Sequence, residues 1–217
     1  MKTNIKKFVS IALALILLAG VIAVTLNSCS PLQVKSSVAG INLSAYIRPG
    51  EPLAIMPFET ESALSNLGGL VSDEITVNLL ENVKNIKIIP TTITRGFLQN
   101  SNLSVSGIPD YHTVHSIKTA LQCRYLLAGN FYSSIGEVRY TDTYSSRIAT
   151  GSVTVRLIDC DSGTVIWAKH IQDSFQTTTY YTANTNLPTS YFTDGQLLQE
   201  LIKRLGADVA QYFYTNE

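Results

Sequence analysis

Asp110, His112 and His115 form a D-x-H-x-x-H cluster, the densest grouping of chemistry-bearing residues in the chain. On a helix His112 and His115 share a face, as two metal-ligating imidazoles would. A metal site needs three or four convergent ligands held in orientation by further hydrogen bonds, and the flanking sequence supplies no others. The cluster therefore reads first as a helix N-cap followed by two solvated histidines. Gly68-Gly69 ahead of a helix would expose backbone amides to an anion. The lysine and Ser/Thr of a phosphate loop are absent, so a plain turn explains the pair. His170 has serines and aspartates around it, but no G-x-S-x-G frame presents a nucleophile. The sequence predicts no catalytic residue and no cofactor.

Cysteine usage points to location rather than catalysis. Lys2, Lys6 and Lys7 precede an apolar run over residues 8–26. That run is longer than the ~7–15 residues of an ordinary signal core and close to the ~18 of a membrane span. Leu26-Asn27-Ser28-Cys29, directly after it, resembles a bacterial lipobox. This similarity implies a signal peptide over 1–28, acylation of Cys29, and a tether over 29–50 rich in Ser, Gly and Pro. Several acyl chains, at about 0.8 kcal/mol per buried methylene, would hold the chain in a membrane through Cys29. Ser30 rather than Asp after the cysteine resembles outer-membrane lipoproteins, with the domain facing the periplasm. Beyond residue 28 the chain keeps 13 basic against 16 acidic residues, net −3, which excludes a nucleic-acid binder by charge. Cys123 and Cys160 remain, as two separate buried thiols or as a disulfide, depending on strand register.

The elements that must position these residues follow from periodicity. Residues 150–172 read as a hairpin: alternating apolar positions flank Asp161-Ser162-Gly163, where Gly163 can take the positive φ of a tight turn. Val165, Trp167 and Ile171 should share one face, with Trp167 a core or sheet-face residue rather than a ligand platform. Residues 53–58 form a buried strand whose pairing stops near Pro57. Leu70, Val71, Ile75, Leu79, Leu80 and Val83 recur at helical spacing, with Asp73 and Glu74 near the helix start. A strand at 85–90, a helix at 91–100, a helix at 110–122 capped by Asp110 with Val114, Ile117, Ala120 and Leu121 inward, and an apolar strand at 124–132 come next. Residues 133–149 and 174–193, rich in Ser, Thr and Tyr, are loops or projecting β-arms. If the first arm turns near Thr141-Asp142, Cys123 and Cys160 face each other across two strands. A closing helix capped by Asp194 and running through Tyr214 carries Leu197, Leu198, Leu201, Leu205, Val209 and Phe213 as a broad apolar stripe. The prediction is one α/β domain over 51–217: a mixed sheet of about five strands, helices packed on it, and a C-terminal helix.

Four segments in this order resemble the curli-export (CsgG-type) outer-membrane lipoproteins. That superfamily includes a flagellar (FlgO) type and the LpoB-type activators of peptidoglycan synthases. The segments are LAIMPF at 53–58, LGGLVSDEITVNLL from Leu67, ALQCRYLLAGNF at 120–131 and VRLIDCDSGTVIWA at 155–168. Gln122-Cys123-Arg124 departs from the Gly-Ala/Val-Asp usual in the relatives. The resemblance implies an α/β domain, assembly or export roles in the cell envelope, and no chemistry of its own. Partners are then membrane lipid at Cys29 and envelope proteins or further copies of the chain. Two alternatives are an oligomeric secretion pore, formed by inserting both polar arms as hairpins, and a metal-dependent periplasmic enzyme at Asp110, His112 and His115. Against the pore, Glu137, Arg139, Asp142 and Arg147 crowd the first arm, where a lipid-facing side should alternate apolar residues.

Overall fold

The computed structural model describes residues 46–60, 66–101, 103, 109–139, 144–180 and 192–213. Contacts divide the chain into Met1–Ala39 and Gly40–Glu217, and every described residue belongs to the second unit. The elements are β1 (Pro52–Ile55), β2 (Glu59–Thr60), α1 (Leu67–Asn82), β3 (Lys87–Ile89), α2 (Thr91–Ser101), α3 (Tyr111–Leu121), β4 (Tyr125–Arg139), β5 (Tyr144–Asp159), β6 (Thr164–Tyr180) and α4 (Asp194–Gln211). The fold is a mixed α/β sheet in the order β3-β1-β4-β5-β6, with β2 also pairing β4. β1 runs parallel to β3 and β4, while β4, β5 and β6 are antiparallel neighbours.

Each face of the sheet has its own core. Leu53, Ile55, Leu127, Phe131, Val153, Val155 and Leu157 meet α1 and α4 on one side. Ala54, Met56, Leu126, Ala128 and Ile158 meet Val114 and Ile117 of α3 on the other, with Phe97 and Leu98 of α2 packed against them. Burial on both faces is why 53–56 is apolar without alternation. The α4 stripe reads true: Leu197, Leu198, Leu201, Leu205, Val209 and Phe213 are all buried.

Pro57 interrupts a strand that then resumes. Ile55 opposes Leu127 and Glu59 opposes Asn130, so three residues on one side span two on the other. This bulge is held by α1. Ser72, fully buried, accepts the Phe58 N–H at 3.1 Å and donates to the Met56 carbonyl at 2.7 Å. Ser72→Ala is expected to lower the unfolding free energy by about 1–3 kcal/mol, read from a urea midpoint at unchanged slope.

Several expectations need correction. α1 begins at Leu67, so its first turn contains no acidic residue and Gly68-Gly69 lies inside the helix rather than in a turn. The reason is contact: both glycines sit where a side chain would meet Phe58 or Arg95. Asp73 instead accepts the Thr91 hydroxyl, joining α1 to α2. Leu70 and Leu80, assigned to the core face, are 44% and 58% exposed, and Ala120 of α3 is exposed too. Of the two readings left open for the polar stretches, the β-arm is the one found in residues 133–139 and 144–149, and β6 runs on to Tyr180. The turn expected at Thr141-Asp142 lies outside the described residues, as does Cys29.

Candidate functional site

β4, β5 and β6 hold 15, 16 and 17 residues, well over the few that the helices cover, so the sheet continues as a three-stranded ribbon. Alternation along each strand divides its side chains between two faces. On the face opposite α4 stand Tyr132, Ser134, Gly136 and Val138 of β4, Thr150 of β5, and Ala168, His170, Gln172, Ser174 and Gln176 of β6, all exposed. Their cross-strand rows are hydrogen-bonded. Ser134 and Thr150 hydroxyls are 2.7 Å apart, and Gln176 donates to Ser146 at 2.6 Å. Arg156 donates to Asn130, which in turn donates to Glu59. His170 bonds Thr154 through Nδ1 and Gln172 through Nε2, both at 2.9 Å. With Gln172 donating, Nδ1 carries the proton and gives it to Thr154. His170 is thus part of an exposed sheet-face network.

The other face is built jointly by β6 and α4. Trp167 packs on Tyr212 and Phe213, at 5.3 and 6.4 Å between ring centroids. Lys169 lies 5.7 Å over the Tyr212 ring, and Arg204 lies 5.1 Å over Phe175 and 3.9 Å from Asp173. Asp208 stands beside them with its carboxyl pushed up, first by burial and then by Asp173, against a smaller pull from Arg204. A raised carboxyl binds its proton better in the folded state, so ionised Asp208 costs stability at neutral pH and this cost fades as pH falls. Asp208→Asn is therefore expected to raise the melting midpoint at pH 7. The gain should vanish below about pH 4, where the wild-type carboxyl is protonated in both states.

Arg147 binds the far end of the ribbon to the domain. It is 5% exposed, donates to the Phe192 carbonyl and the Asp194 carboxylate, and has Glu137 at 3.9 Å. The N-cap of α4 is Thr193, in a capping box with Gln196, and not Asp194 as the sequence predicts; Asp194 stands in the first turn. The sequence reading counted Arg147 only as a charge crowding an arm. Its strand parity, shared with Ala149 and Val153, was the available signal.

The other candidates separate. Asp110 caps α3, its carboxylate accepting the Thr113 N–H at 2.7 Å, a bond that also holds its pKa below the ordinary carboxylate range. His112 and His115 are exposed and lie beside Tyr111, at 6.0 and 6.1 Å between centroids. Among the described residues no group of three or more His, Cys, Asp or Glu is placed to hold a metal. No described helix is long and apolar enough to cross a membrane.

Cys123 and Cys160 are free, buried thiols with their sulfurs 3.8 Å apart. The strand register is one residue off direct opposition: Cys160 lies against Arg124, whose carbonyl accepts its N–H. Contact with Cys123, reinforced by burial, pushes the Cys160 thiol up, so the pair holds its proton in an apolar wall. In the folded, reduced protein neither is expected to react with iodoacetamide. Both should alkylate once urea unfolds the chain, as peptide mass spectrometry would show.

No family model matches the chain, and no curated protein matches it. Solved structures similar to it include the PelC L103M dodecamer from Paraburkholderia phytofirmans, at 14% identity and a TM-score of 0.44, covering 78% of this chain and 93% of that one. Lipoprotein GNA1162 from Neisseria meningitidis is similar at 15% identity and a TM-score of 0.44, covering 74% and 99%. The LpoB C-terminal domain from Salmonella enterica is similar at 14% identity and a TM-score of 0.38, covering 58% and 84%. The α/β fold itself stands on the sheet order and the two cores described above.

Proposed function

We propose that the protein is an outer-membrane-anchored lipoprotein whose periplasmic α/β domain works without chemistry of its own, binding envelope proteins as an assembly or export accessory. The β4-β5-β6 ribbon carries this reading: it extends past the helix-covered core and presents a hydrogen-bonding face and a long strand edge. The groups that could do chemistry are engaged elsewhere, Asp110 as a cap and His170 in the sheet-face network. The lipobox-like Leu26-Asn27-Ser28-Cys29 and the family resemblance of 53–58, 67–80, 120–131 and 155–168 support the location and the class of role.

The pore is the weaker reading. The whole ribbon strands exceed the ~9–11 residues of a membrane-spanning strand, but residues 125–131 of β4 and 153–158 of β5 lie in the domain core. Neither ribbon face alternates apolar residues toward lipid, however, and Arg147 fastens the first arm to α4.

The test is acyl labelling of the full chain, with fractionation and light scattering in detergent. Wild type should take up labelled palmitate and sediment with the outer membrane, and Cys29→Ser should lose both. Equal labelling of the two would overturn the anchor. A ring of eight or more subunits would replace the binding module with the pore, whereas a monomer or dimer sustains the module.

A further inference from the structure

β6 ends the sheet, pairing only with β5 among the described residues, so one side of a 17-residue strand presents unpaired backbone groups. Such an edge is a template for another strand, and proteins that avoid pairing break it with Pro, bulges or charge. Past the bulge at Ile166, residues 167–180 contain no Pro, no Gly and no register shift, and their only fixed charges are Lys169 and Asp173. Those two stand on the same face as Trp167, Ile171 and Phe175, since all five alternate along one strand on the side of α4.

The spacing is self-complementary. Laid antiparallel to itself about a two-fold axis at Ile171, β6 opposes Lys169 to Asp173 and Asp173 to Lys169. The same register opposes Trp167 to Phe175 and sets Ile171 against itself; the extra residue of β6, Ile166, lies just outside this matched stretch. On the other face it opposes His170 to Gln172. Opposite charges and aromatic pairs directly across an antiparallel ladder each stabilise it. Among the described residues the sheet's other open edges are shorter, three residues in β3 and residues 132–139 of β4 beyond its pairing with β2, so a closed two-fold β6 pair is the geometry that covers the longest edge.

We infer that the partner at this edge is a second copy of the chain, joined β6 to β6 in antiparallel register about Ile171 with Lys169 and Asp173 paired across the axis. This rests on the binding-module reading and names its first partner. A second Lys169 also answers a local imbalance, because Asp173 and Asp208 share one cation, Arg204, at 3.9 Å from Asp173.

The test uses the full chain in detergent, with mass by light scattering over a concentration series. Wild type is expected as a dimer. Lys169→Asp and Asp173→Lys each place like charges across the axis and should weaken the dimer at least about 10-fold, whereas the double variant restores opposite pairs and should recover most of the loss. Circular dichroism melts check that each variant folds. Independently, Ile171→Cys is the substitution that faces itself and should form an intermolecular disulfide on oxidation. Val165→Cys, twelve residues from its own copy at about 3.4 Å per residue, should not. A wild-type monomer at 100 µM, a double variant no tighter than the singles, or equal cross-linking of the two cysteine variants overturns the proposal. Palmitate labelling of each variant tells this failure apart from failure of the anchor, because no β6 change touches Cys29.

Discussion

Gly68→Ala is expected to destabilise the domain by about 3 kcal/mol or more, against the usual sign of a glycine-to-alanine change in a helix. A Cβ at Gly68 would sit 1.7 Å from the Phe58 carbonyl oxygen and 2.7 Å from its carbon. Those are backbone atoms of the segment that carries the strand over Pro57, and the Phe58 N–H itself reaches back to the Gly68 carbonyl at 3.2 Å. Relief requires α1 to move off the sheet, which would stretch the Ser72 bonds to Phe58 and Met56 and open the buried seam at Val71 and Ile75. Gly96→Ala in α2 is the control. Nothing lies within 4 Å of a Cβ there, so the ordinary helix gain of about 0.5–1 kcal/mol should appear. Urea unfolding of the two variants beside wild type checks both signs. A Gly68→Ala protein as stable as wild type would show that the α1 start does not bear on Phe58.

Phe131→Ala should cost about 3–5 kcal/mol, because the ring is fully buried at the centre of β4 and its removal leaves a cavity among residues fixed by two sheet neighbours. Tyr132→Ala, one residue along, removes a ring that is 41% exposed on the open ribbon face and should cost less than about 0.5 kcal/mol. The pair separates core from surface on a single strand. Thermal midpoints differing by less than a few degrees would contradict the face assignment that the whole ribbon depends on.

Local patterns carried a good part of this fold. The hairpin at 150–172 turned at Asp161-Ser162-Gly163 as read, with Gly163 at φ +68° and Asp159 accepting the Asp161 N–H at 2.7 Å. Asp110 capped its helix, Trp167 entered the core, and the α4 stripe was buried throughout. Each of these depends on residues within one or two turns of each other, where side-chain type and spacing decide the energy. The open ribbon face, by contrast, showed only as polar stretches without a core side. Hydroxyl and amide pairs such as Ser134 with Thr150 join residues 16 apart, and no local period reports them.

Val165 marks where alternation gave out. It should have shared a face with Trp167, but the β5–β6 register shifts between Leu157 and Ile158, setting Val165 opposite Ile158 and leaving it 40% exposed. One extra residue in a strand reverses every side chain before it, and the choice is made by packing against the neighbouring strand. Ile47 is similar: it lies in a stretch read as tether, yet is 8% exposed against the main core, with the Tyr46 carbonyl bonded by Tyr125 at 2.6 Å. Sequence by itself determined most of the element types, the Asp110 cap, the turn at Gly163 and the α/β class, because these follow from periods and contacts of short range. Only the tertiary structure decided where α1 meets Phe58, which face each ribbon residue takes, and that β6 is the long open edge. Those depend on register and strand order, set by residues far apart in the chain competing to bury the same surface.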